Sequence, residues 1–184
     1  MILIPRENQN HLPRQLLSSI LPNKPIMSNL VSIHPATHEH KHFIKATWLK
    51  NFGNSGADLL KAVPADLYYK NQSDLIDKAW TRCKVLVAQS ITDPEVTAGY
   101  IAFERPNTIH YVYVRHDFYR FGIATELLKK SEIDMENFIY THRNTNCRWL
   151  IGHIRRLEEK NFEKEFIPGK FPKGIYNPYL FVRN

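Results

Sequence analysis

Three runs rich in β-branched and aromatic residues lie between Lys84 and Arg115, joined by short links. Lys84–Gln89 (KVLVAQ) leads to the turn Asp93-Pro94-Glu95. Thr97–Phe103 (TAGYIAF) leads to the turn Arg105-Pro106-Asn107, and Thr108–Arg115 (TIHYVYVR) closes the block. Parallel neighbours need a crossover of roughly a dozen or more residues, so links this short predict an antiparallel meander. A meander has two faces, and helices from elsewhere in the chain must supply the cover that its apolar residues require.

The flanking segments offer that cover. Leu30–Ile33 alternates as a short strand and is broken by Pro35-Ala36-Thr37. Thr37 is then a candidate helix N-cap, with Glu39 in the first turn. Phe43, Ile44, Trp48 and Leu49 recur at helical spacing, and Gly53 and Gly56 are stop signals. A second helical region covers Gly56–Arg82, interrupted near Pro64. Beyond the meander, Ile123, Leu127, Leu128 and Ile133 share one helical face, and Phe138–His142 reads as a short strand. Asn144–Phe162 reads as a long amphipathic helix with Leu150, Ile154 and Leu157 as its stripe, and Tyr179–Val182 as a last strand. The order β-α-α-β-β-β-α-β-α-β predicts an α/β (α+β) domain, a mixed and mostly antiparallel sheet flanked by helices, over residues 28–184. Residues 1–27 are broken by prolines and read as an N-terminal extension.

Composition narrows the function classes. No apolar stretch approaches the roughly 18 residues of a membrane span. Cys83 and Cys147 are too few for a disulfide framework, which suits a reducing, cytoplasmic setting. The 25 basic and 18 acidic side chains leave a net charge of +7, spread along the chain, which favours anionic partners such as a phosphate-bearing small ligand or nucleic acid. From Arg143 to Lys173 cations mix with Trp149, Phe162, Phe166 and Phe171, as single-strand binding requires, but no nucleic-acid-binding module signature is present. His38 and His42 would share a helix face, as zinc ligands can. A solvated helix start explains them better, and no metal is expected.

The segment that carries chemistry is Tyr111–Lys130, YVYVRHDFYRFGIATELLKK. A Tyr/Val-rich strand runs into a turn, and Gly122 and Ala124 stand where the turn becomes a helix. Small residues there let a ligand approach the backbone. The free amides of the first turn, Phe121, Gly122, Ile123, Ala124 and Thr125, together with the helix dipole, suit a pyrophosphate. Arg115 and Arg120 lie close by.

This segment resembles the acetyl-CoA motif of the GNAT superfamily of N-acyltransferases, Gln/Arg-x-x-Gly-x-Gly/Ala after the fourth strand. Gly122 and Ala124 match its small positions, while Tyr119 stands where Gln or Arg is usual. The element order from Asn29 to Val182 is similar to that of GNAT domains. WLKNFG, LYYKNQSDLI, HYVYVRHDFYRFGIA and YNPYLF also resemble segments of small phage and prophage GNAT-like proteins. The Mom group of phage DNA-modifying proteins, on a similar core, keeps a nucleobase open as acceptor.

The resemblance implies acetyl-CoA as acyl donor and an amine acceptor attacked in a ternary complex. Tyr119–Thr125 would cradle the diphosphate. Val112 and Val114, at a splayed strand end, would offer backbone groups to the pantetheine arm. Glu104 and His110 occupy the region where relatives place a proton acceptor; if Val112 and Val114 face the core, His110 shares their side. The family's acid Tyr on the last long helix is replaced by Leu157, and His153, one turn earlier, is the candidate substitute. Loss of that acid leaves a non-catalytic binding role open.

Overall fold

The structure, a computed structural model, describes residues 30–55, 62–142, 148–156 and 164–183. The predicted extension 1–27 lies outside them. The meander forms as its short links require. β1 (Val31–Pro35), β2 (Lys84–Ser90), β3 (Thr97–Glu104) and β4 (Thr108–Val114) are antiparallel neighbours in that order. β5 (Ile139–Tyr140) then pairs parallel to β4, and β8 (Ile175–Tyr176) parallel to β5, completing a six-stranded mixed sheet. β1 carries Pro35 opposite Leu86, which an edge strand tolerates because one side needs no donor.

Each face of the sheet has its own cover. On one face α1 (His40–Ser55) and α2 (Ala65–Arg82) bury Ile44, Trp48, Ile76 and Ala79 against Val87, Tyr100, Ala102 and Tyr111. On the other α3 (Ile123–Ser131) buries Ile123, Leu127 and Leu128 against Ala88, Ala98, Ile101 and Ile109. This is the mixed, mostly antiparallel sheet flanked by helices that the element order predicts.

Several local expectations are corrected. α1 runs through Gly53 instead of ending there; a side chain at Gly53 would strike the Tyr69 ring of α2, so this glycine serves close helix packing. His38 lies before α1 and not on a helix face with His42, and Thr37 Oγ1 pairs with His40 Nδ1 at 2.8 Å. The long helix expected over 144–162 is replaced, among the described residues, by two shorter elements. α4 (Arg148–Ile151) stops at Gly152, which takes a left-handed φ of 107°. The chain continues as β6 (Gly152–Arg156), paired antiparallel with β7 (Lys164–Pro168). Leu150 of the expected stripe is buried, whereas the Ile154 side chain and Leu157 lie outside what the structure describes. Tyr179–Val182 is a short helix, α5, and not a strand. Pro178 precedes it and Asn177 Oδ1 accepts the Tyr179 amide, geometry that starts a helix.

Candidate functional site

β4 keeps its β3 partner along its whole length but pairs with β5 only at Thr108–Ile139 and Ile109–Tyr140. The Thr141 amide donating to the Ile109 carbonyl at 3.2 Å closes that seam. Past it, among the described residues, β4 runs on to Val114 with no strand on the β5 side. A cleft of about 470 Å³ opens there. Val112 and Val114 line it, together with Tyr119, Arg120, Gly122, Ile123, Ala124 and Thr125. Phe121 does not line the cleft; it packs against the core beneath α3.

The turn into α3 follows from its residues. Gly122 sits at φ 85° and Arg120 at φ 67°, so two left-handed positions reverse the chain in three residues. No side chain caps α3, and its ladder begins with the Glu126 amide donating to the Gly122 carbonyl. The amides of Ile123, Ala124 and Thr125 therefore have no acceptor within the helix. Behind the cleft, a Cβ at Gly99 would lie 2.7 Å from the Tyr113 carbonyl oxygen, so only glycine lets β3 and β4 approach this closely.

Phe118, Arg148 and Trp149 also line the cleft and escaped the motif reading. Arg148 and Trp149 come from α4, within the segment where a long amphipathic helix was expected. The signal was the aromatic residue set among cations, read above as a nucleic-acid feature. Lys170 approaches the same rim, its Nζ donating to Thr125 Oγ1 at 3.4 Å.

Glu104 and His110 are brought together, but away from this cleft. His110 is the extra residue of a bulge, because Ala102 pairs with Tyr111 and Phe103 with Ile109. The bulge turns His110 to the Tyr111 face of the sheet, where its ring lies 5.9 Å from that of Phe181, while Val112 and Val114 pack on the α3 face. The expectation that His110 shares the side of Val112 and Val114 is thereby overturned. His110 Nε2 donates to Glu104 Oε1 at 2.9 Å. Thr141 Oγ1, 3.1 Å away, donates to His110 Nδ1, and His142 Nδ1 donates to Thr141 Oγ1 at 2.8 Å. These tautomers are assigned from the network.

Electrostatics keep this chain of groups neutral at its centre. Burial pushes His110 down to about 4, with the Arg82 and Arg183 guanidiniums adding to it and Glu104 opposing. Burial likewise pushes His142 down to about 3. Burial alone would raise the Glu104 carboxyl, but hydrogen bonds from Arg183 and Arg82 outweigh it and hold it below the usual range. Arg82 also ties down the C-terminal segment, donating to the carbonyls of Arg183 at 2.8 Å and Phe181 at 3.1 Å.

Cys83, Glu104 and His110 offer ligand atoms within 4.8 Å of one another. The donor types suit zinc, but the surroundings do not. Two guanidiniums already neutralise Glu104 and would face the dication, and burial lifts the Cys83 thiol to about 12, away from the thiolate that a metal needs. His153 lies on β6 opposite Ile167, not on a helix.

Among solved structures, the chain is similar to a GCN5-related N-acetyltransferase (aminotransferase, class-II) from Rhodopseudomonas palustris. The match has 17% identity and a TM-score of 0.38, over 56% of this chain and 64% of that one. It is also similar to the apo form of YjaB from Escherichia coli, at 18% identity and a TM-score of 0.41, over 55% and 64%. The chain thus spans less than two thirds of the length of either. No family model and no curated protein matches the sequence.

Proposed function

We propose that this chain transfers an acetyl group from acetyl-CoA to an amine. One observation carries the reading. The strand edge freed where β4 and β5 part, and the uncapped amide turn at Gly122, open into a single cleft within the segment that resembles the GNAT cofactor motif. In this reading the amides of Ile123–Thr125 hold the diphosphate, and the helix dipole favours its charge. A free backbone amide of β4 near Val112–Val114 polarises the thioester carbonyl. The amine nitrogen attacks that carbon, the C–N bond forms, and the C–S bond breaks with its electron pair leaving on the CoA thiolate. Glu104 and His110 are engaged on the other sheet face, so the amine proton leaves through water in the cleft, and the pair acts by holding the β4 bulge in shape. His153 remains the candidate donor to the thiolate.

The test is a thermal-shift titration with acetyl-CoA, using Gly122→Glu as control. Saturation near 100 Kd stabilises by about 2.7 kcal/mol, roughly 5–10 °C for a domain of this size. A rise that Gly122→Glu abolishes supports the site. No rise in folded protein overturns the reading. One observation favours binding without transfer: Glu104 and His110 are both buried and fully engaged. Release of free CoA thiol in the presence of a panel of amines separates transfer from binding alone.

A further inference from the structure

Among the described residues, three cationic side chains at the cleft have no partner of opposite sign. Arg115, Lys129 and Lys173 pair with Asp117, Glu126 and Glu136. Arg120 and Arg148, which line the cleft, and Lys170, at its rim, form no ion pair among the described residues. Unmatched cations around a concave surface favour an anionic occupant. The amides of Ile123–Thr125 with Lys170 beside Thr125 account for one anionic group.

A second recognition element belongs to the same cleft. Arg148 and Trp149 are consecutive, and both line the cleft. Trp149 keeps 38% of its surface exposed, so a large flat side chain borders the opening instead of filling the core. Its position is fixed by the backbone: the Lys170 amide donates to the Trp149 carbonyl at 2.9 Å, and the Phe171 amide to the Leu150 carbonyl at 2.6 Å. An aromatic plate with a guanidinium beside it suits a heteroaromatic base whose sugar carries a phosphate. The inner wall, Val112 and Val114, suits an apolar arm instead.

We propose, resting on the acetyl-CoA reading above, that Trp149 and Arg148 read the 3′-phosphoadenosine end of the cofactor. Trp149 stacks on the adenine and Arg148 pairs with the ribose 3′-phosphate. The chain therefore distinguishes CoA from 3′-dephospho-CoA.

Calorimetric titration of the full chain with CoA, 3′-dephospho-CoA and 4′-phosphopantetheine tests this. Wild type should bind CoA about tenfold or more tightly than 3′-dephospho-CoA, the ratio of about one charge-assisted contact. Arg148→Ala should weaken CoA by about that factor and leave 3′-dephospho-CoA unchanged. Trp149→Leu should weaken both adenine-bearing ligands and leave 4′-phosphopantetheine unchanged. Equal affinity of wild type for CoA and 3′-dephospho-CoA overturns the proposal while leaving the acetyl-CoA reading intact, as does an equal loss of both in Arg148→Ala. Failure of CoA itself to bind folded wild type overturns both. Arg148 is exposed, so its truncation leaves the core untouched.

Discussion

Lowering the pH from 7 to 4.5 should destabilise this fold through His110 and His142. Both are held neutral, His110 down to about 4 and His142 down to about 3, chiefly by burial. In the unfolded chain each titrates near its ordinary value, about 6.5. Below that pH the unfolded state takes up protons that the folded state refuses, so stability falls with pH in this window and is flat above it. Each histidine contributes about 1.4 kcal/mol per pH unit. Over the two units between about 6.5 and 4.5 that is somewhat under about 3 kcal/mol each, so about 5 kcal/mol for the pair. Domains of this kind have about 5–15 kcal/mol in total, so unfolding near pH 4.5 is expected. Urea denaturation at several pH values measures it directly. Removing one titrating group, as in His142→Gln, should reduce the slope by about half whatever it does to stability at pH 7. Stability that is level between pH 7 and 4.5, or a slope unchanged in the variant, would refute the argument that these imidazoles are buried neutral.

Two further outcomes follow from packing. Gly99→Ala places a methyl 2.7 Å from the Tyr113 carbonyl oxygen and 3.3 Å from Ile123, so it should cost about 1–3 kcal/mol in denaturation and also weaken acetyl-CoA binding, because β4 and α3 form the cleft walls. Trp48 stacks on Tyr111 at 5.1 Å, and among the described residues its indole Nε1 has no hydrogen-bond partner, so Trp48→Phe should lose far less than the roughly 3–5 kcal/mol expected of Trp48→Ala. Comparable losses in the two variants would show that the indole nitrogen matters.

What was legible in the residues was whatever rests on local rules. Short links between β-rich runs admit only antiparallel neighbours, and the Phe121–Thr125 segment carries the small residues that a turn into a helix needs. The elements after His142 were less legible because apolar spacing at Leu150 and Ile154 fits a helix and also strand residues that alternate with a partner. Gly152 resolves that ambiguity through its left-handed φ, and the β7 segment supplies the pairing. The glycine was visible in the chain, but its consequence was not, since an isolated glycine is tolerated in many helices.

The sequence by itself determined the sheet order of the meander, the helical cover of its two faces and the amide turn at Gly122, because each follows from spacing, link length and backbone freedom within a few neighbouring residues. Tertiary structure alone decided which side of β4 each side chain faces. The bulge at His110 turns it to the Glu104, Arg82 and Arg183 side and leaves Val112 and Val114 on the cleft side. Tertiary structure also brought Arg148 and Trp149 into the lining of the cleft and Lys170 against Thr125 of the α3 turn. A one-residue change of register inverts every facing beyond it, and it arises from the match between two strands, which neither strand encodes alone.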